Sequence, residues 1–205
     1  MIAIVDYGVG NLFSLKSSFA AIGAETVVSG APDVIRSADK LVLPGVGAFG
    51  DAAELLRREK LDQFIREQAA AGKPLLGVCL GMQLLFDYSL EYGRHEGLGL
   101  IPGCVRPIAD RIPAGLKVPH IGWNALRFPA GKPVSPLFRY IKEGDCVYFV
   151  HSFCGTACAE SVIATAEYGS ELTAAVARGS VCGVQFHPEK SGDVGLNILR
   201  AFCEL

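Results

Sequence analysis

No window of this 205-residue sequence reaches about 18 uninterrupted apolar residues, so no helical membrane span is expected. No run of like charge occurs either. The 19 Lys and Arg against 21 Asp and Glu leave a formal net charge of −2, which gives a nucleic-acid or anionic-membrane partner little support. The stretch Met1-Ile2-Ala3-Ile4-Val5-Asp6 has no cationic region ahead of a long apolar segment and does not read as a secretory leader. The seven cysteines, at 79, 104, 146, 154, 158, 182 and 203, include no CxxC pair of zinc-site spacing. An odd count without an export signal points to reduced thiols in a cytosolic protein. Cys154 and Cys158 are poorly spaced with His151 for a metal, and neither metal nor cofactor is expected. Internal repeats, low-complexity tracts and long linkers are missing, so residues 1–205 are expected to form one domain.

Half the residues are apolar, and their pattern alternates between two periods. Ile2–Val5 reads as a strand buried on both faces. Asn11 follows as a helix N-cap, Leu12, Leu15, Phe19 and Ile22 recur at helical spacing, and Gly23 closes the segment. Strands are expected at 26–28, 41–43 and 75–78, with a long helical pattern over 48–70 that breaks near Lys60. A helix is expected to begin over 82–86. Strand alternating with helix implies βαβ units, a parallel sheet and right-handed crossovers. Residues 93–143 are rich in Gly and Pro and read as loops with short, antiparallel strands. Further strands are expected at 146–150, 161–166, 173–177 and 181–185, then a last helix carrying Val194, Ile198, Leu199 and Phe202. The fold class is therefore α/β, a mostly parallel central sheet flanked by helices with an added antiparallel segment.

Cys79 stands in Gly77-Val78-Cys79-Leu80-Gly81, directly after an apolar strand. Glycines two residues before and after it permit a sharp strand-to-helix turn that exposes the sulfur and aims a helix N-terminus at it. Such a setting lowers a thiol pKa from its usual value of about 8.5. Gln185-Phe186-His187-Pro188-Glu189-Lys190 offers a base and a carboxylate at the end of another buried strand, and sites of parallel sheets lie at carboxyl ends of strands. Cys79, His187 and Glu189 thus read as nucleophile, base and base-orienter, although an arbitrary cysteine is far more often structural. Pro44-Gly45-Val46-Gly47 ends a third strand. It is either an ordinary tight turn or, with the N–H of Leu80, an oxyanion hole in which one donor is worth roughly 3–4 kcal/mol.

Pro-Gly-Val-Gly, Gly-Val-Cys-Leu-Gly-Met-Gln and Gln-Phe-His-Pro-Glu-Lys-Ser together resemble the class I (triad) glutamine amidotransferases, whose architecture is flavodoxin-like. Asp6-Tyr7-Gly8-Val9-Gly10-Asn11, Pro119-His120-Ile121-Gly122-Trp123-Asn124 and Tyr148-Phe149-Val150-His151-Ser152 are similar to one branch of that family. The members of this branch are glutaminase subunits that pair with a (β/α)₈ cyclase in histidine biosynthesis. The resemblance implies that Cys79 attacks the glutamine amide to give a γ-glutamyl thioester, with His187 as base and Glu189 orienting it. It implies substrate contacts at Gly47 and Gln83, oxyanion donors at Leu80 and Val46, and a Val46-type peptide that has to reorient. It also implies an interface with the cyclase at Asn11, His120, Trp123, Asn124, Tyr148 and Lys190, whereas composition alone favours a core-capping role for Trp123. His151 reads as an interface residue or a support of the site. The alternative acceptor is a surface-polysaccharide sugar served by a paralogous pair.

Overall fold

A computed structural model describes the whole chain, Met1–Leu205. In its first half the order is β1 (Ile2–Val5), α1 (Leu12–Ala21), β2 (Thr26–Ser29), α2 (Pro32–Ser37), β3 (Lys40–Leu43), α3 (Phe49–Arg58), α4 (Leu61–Ala70), β4 (Leu75–Val78), α5 (Leu80–Leu84) and β5 (Phe86–Ser89). There follow β6 (His95–Glu96), β7 (Ile101–Pro107), β8 (His120–Arg127), β9 (Cys146–His151), β10 (Phe153–Thr156), β11 (Val162–Glu167), β12 (Glu171–Arg178), β13 (Val181–Val184) and α6 (Gly192–Cys203).

Nine strands form the main sheet in the order β2-β1-β3-β4-β13-β12-β11-β8-β9. Its first five are parallel, as the βαβ pattern requires, and the remaining pairings are antiparallel. β1, β4 and β13 are buried along their whole length, which is why they read as unbroken apolar runs. Helices cover both faces. Leu15 and Phe19 of α1 join Ile198, Leu199 and Phe202 of α6 in one core cluster, while Leu56 of α3 and Phe64 and Ile65 of α4 belong to a second. Each such side chain contributes roughly 1.5–3 kcal/mol of apolar burial. The break at Lys60 is a left-handed residue, φ 57°, between α3 and α4.

Three features depart from expectation. The helix expected over 82–86 lies over 80–84, and Phe86 instead opens β5. Leu98 N–H bonds the Leu84 carbonyl and Leu100 and Ile101 N–H bond that of Leu85, so those acceptors cannot serve a longer helix. Together with β6, β7 and β10, β5 makes a second sheet of four strands, in which β5 and β7 run parallel rather than antiparallel. Finally, α2 went unforeseen; it has only six residues and no side-chain cap, so its local signal is weak.

The sheet brings its chemistry together through one register. In the β4–β13 pair, Gly77 lies opposite Gly183 and Val78 opposite Val184, so Cys79 and Gln185 leave the sheet side by side. Cys79 N–H still bonds Val184 O at 2.8 Å. Gly77 makes the return of the chain possible: a Cβ there would lie 2.6 Å from Gly81 O and 2.7 Å from Met82 N, both backbone atoms. Gly77→Ala should therefore cost roughly 1–3 kcal/mol of unfolding free energy, read from the urea midpoint. A midpoint unchanged from the parent would show that the turn tolerates the extra atom.

Candidate active site

Cys79 adopts φ 55°, ψ −111°, a conformation that L-residues rarely hold, at the N-cap of α5. It is buried, yet its sulfur faces a cavity of about 430 Å³. His187 borders the same cavity, three residues past the end of β13. Its backbone is extended, φ −100°, ψ 97°, as a residue before Pro188 prefers. The turn Pro188–Lys190 then swings Glu189 back under the ring, where Oε1 pairs with His187 Nδ1 at 2.8 Å. The Glu189 side chain is only 1% exposed, and its other oxygen has no partner. Ser191 locks this segment to β9 by donating to His187 O at 2.6 Å and accepting from Tyr148 N–H at 3.0 Å.

Electrostatics favour a charged imidazole. Burial alone would lower the His187 pKa, but hydrogen bonding and charge from Cys79 on one side and Glu189 on the other outweigh it and raise the value to about 9. At two thiols away from this pair burial favours the neutral form: it pushes Cys154 up to about 12 and Cys182 up to about 11, where they are inert at neutral pH.

The third strand exit arrives as its glycines require. The N–H groups of Val46 and Gly47 have no acceptor within the chain, and Gly47 takes φ 94°. Gly45 packs so closely that a Cβ would sit 2.8 Å from Gly81 N and 3.0 Å from Tyr7 Oη. Tyr7 donates to Pro44 O at 2.7 Å and stays protonated, because burial and the charge at Cys79 raise its pKa. Val46, Gly47, Leu80, Gln83 and Lys190 all line the cavity.

Two contributors, Gln185 and Glu91, are not evident from the sequence. Gln83 Nε2 donates to Phe153 O at 3.2 Å and to Gln185 Oε1 at 3.0 Å, while Gln185 Nε2 donates to Cys79 Sγ at 3.8 Å. Glu91 borders the cavity with Oε2 on Phe49 N–H at 2.7 Å, and burial raises its pKa. Gln185 stood inside a motif already singled out, but Glu91 lies in a loop with no distinguishing pattern.

The residues expected at an interface fall into two groups. Trp123 is 56% exposed, against the composition-based preference for a core role, and meets Tyr148 edge-on at 6.0 Å; Lys190 Nζ lies 5.9 Å from the Tyr148 ring. Asn11 is partly buried and caps α1 through Ser14 N–H, and Asn124 is half-buried. His120 departs from the expectation of a surface residue. Its ring stacks on Phe149 and Tyr168 and it is 1% exposed. No group of three metal-ligating side chains occurs, and no helix is long and apolar enough to cross a membrane.

Residues 3–204 match the family model described as glutamine amidotransferase class-I, and the chain belongs to that family of enzymes. Over its whole length it is 50% identical to a protein of Sulfurimonas denitrificans, covering 98% of that protein, and 48% identical to one of Bacillus velezensis, covering 96% of it. Both bear the name imidazole glycerol phosphate synthase subunit HisH, and the present chain falls among these subunits. In fold it is similar to a crystal structure of a glutamine amidotransferase, with TM-score 0.76 at 19% identity over 99% of this chain and 97% of the other. The PurLQS structure from Thermotoga maritima has TM-score 0.76 at 22% identity over the same shares.

A ring that Cys79 and Glu189 both draw toward the charged form should keep its proton above neutrality. Nitrogen-15 spectra of His187 should still show an imidazolium at about pH 8, where an ordinary histidine is neutral. Glu189→Gln removes one raising interaction and should move the midpoint down. A His187 that titrates near pH 6.5 in both proteins would contradict this electrostatic reading.

Proposed function

We propose that this chain is the glutaminase subunit of an imidazole glycerol phosphate synthase, with Cys79, His187 and Glu189 as its catalytic residues. The observation that carries the reading is the convergence of Cys79 with the His187–Glu189 couple at one cavity.

The thiolate of Cys79 attacks the side-chain amide carbon of glutamine and forms the S–C bond. Negative charge passes to the amide oxygen and is received by N–H groups of Leu80 and the Val46–Gly47 segment, a role supported by their positions in the cavity lining. His187 gives its proton to the leaving nitrogen, ammonia departs, and a γ-glutamyl thioester remains on the sulfur. The neutral imidazole then takes a proton from water, whose oxygen attacks the thioester; glutamate leaves and the thiolate–imidazolium pair is restored. Glu189 holds the ring in the tautomer that presents Nε2 to the reaction. Within the cavity, both hydrogens of the Gln83 amide nitrogen are committed, so this side chain offers its carbonyl oxygen to a ligand. Glu91 supplies the carboxylate that the substrate ammonium needs.

Ammonia passes to a cyclase partner in a heterodimer, where it serves the synthesis of imidazole glycerol phosphate. The exposed Ile121 and Trp123 on β8, beside Tyr148 on β9, support docking on this face, since an exposed tryptophan is favoured at interface centres. Unpartnered hydrolysis would waste glutamine, so the Gly45-Val46-Gly47 segment is assigned as the element that responds to the partner. Glutamine hydrolysis by the isolated chain should be slow and should rise when cyclase and its nucleotide ligand are added; in that complex Glu189→Gln should lower kcat by roughly 10²–10⁴. Equal rates with and without the partner, or full activity of the variant, would contradict the proposal.

A further inference from the structure

Beside the cavity two buried histidines form a chain of four contacts between two carbonyl groups. Phe153 O lies 2.7 Å from His151 Nδ1, and His151 Nε2 lies 3.0 Å from His120 Nδ1. His120 Nε2 lies 2.7 Å from Asn124 Oδ1, and Asn124 Nδ2 donates to Glu167 O at 2.9 Å. Each contact needs one hydrogen. Both ends of the chain are backbone carbonyls and supply none. A neutral imidazole supplies one, and so does the Asn124 amide between its two neighbours. Four contacts therefore compete for three hydrogens. If both ring nitrogens at the outer ends donate, two lone pairs face each other at 3.0 Å in the middle. Flipping the amide only moves the conflict, because its oxygen then faces Glu167 O.

From this count we propose that His120 and His151 hold one proton beyond the neutral pair, so that a single shared imidazolium closes the whole chain from Asn124 to Phe153. The surroundings define what opposes and what favours it. Burial pushes each ring, taken alone, toward the neutral form, and His187 acts on His151 in the same sense. No carboxylate bonds either ring. The Glu167 carboxylate is turned to Gly169 N–H, Tyr168 stacks on His120 with its hydroxyl on Lys117 O, and Glu91 and Lys190 face the cavity that His151 borders. In favour of charge stand the π faces of Phe149 and Tyr168, centred 5.1 and 4.1 Å from the His120 ring, and the one hydrogen bond the neutral pair forfeits.

The pair acts as a positioning device. Phe153 O, fixed by His151, is also the acceptor that orients Gln83, so the protonated chain runs from the half-buried Asn124, next to Trp123, to the wall of the cavity. The consequence for Gln83 rests on the glutaminase reading, but the proton count does not. Nitrogen-15 histidine spectra of the full chain at about pH 7 should show three ring protons shared by His120 and His151, with His151 Nδ1 and His120 Nε2 both protonated. Asn124→Leu removes one end of the chain and leaves two contacts for two hydrogens; its pair should lose one proton and become neutral at the same pH. A wild-type pair with two ring protons at that pH would overturn the proposal, even if the variant did not fold. So would an Asn124→Leu pair that titrates as the wild type does.

Discussion

The pairing of β4 with β13 is the constraint on which the rest of the molecule depends. Both strands are short, parallel and wholly buried, and their register sets Val78 against Val184. Cys79 and His187 are 108 positions apart in sequence, yet they leave neighbouring strands one and three residues beyond this point. A slip of one residue would turn every side chain of β13 to the opposite face. Glycines at 77 and 183 let α5 lie against the strand pair, since a Cβ on Gly183 would fall 2.7 Å from Met82 Cγ. Packing of the sheet and placement of the sulfur are thus one requirement.

Around that point the protein arranges charge in layers. The innermost is the sulfur, the imidazole and the buried Glu189 carboxylate. Next come neutral donors and acceptors that hold them: Gln185 on the sulfur, Gln83 between Gln185 and Phe153, and Tyr7 under Pro44. Farther out, His151, His120 and Asn124 extend the same network to β8, on the face opposite to the one that carries Trp123. A perturbation at that exposed strand has a continuous hydrogen-bonded route to the nucleophile. Cys154, Cys158 and Cys182 lie outside these layers, and burial raises the pKa of each thiol.

Much of this was legible in the sequence because strong local patterns and the tertiary fold agree. The strands at 2–5, 41–43 and 75–78, the Asn11 cap, the break at Lys60 and the glycine-flanked Cys79 all carry their own signals. Cys79 and His187 were also recognisable as strand-end residues, and the parallel pattern implied that they meet. What stayed hidden depends on contacts distant in the chain. Helix α5 stops because amides at 98, 100 and 101 claim its carbonyls, which no propensity reveals. The second sheet arises from strands of two to seven residues whose pairing is set by packing. Glu91 and Ser191 gain their places through loop and turn geometry, and the burial of His120 follows from stacking between β9 and the β11–β12 turn.

The central claim is that the sulfur of Cys79 takes the acyl group of glutamine. Rapid acid quenching of the chain with its cyclase partner and glutamine, followed by peptide mass analysis, tests it most directly. The account predicts one γ-glutamyl group on the peptide containing Cys79, and loss of both adduct and hydrolysis in Cys79→Ala. Undiminished glutamine hydrolysis by Cys79→Ala would contradict it.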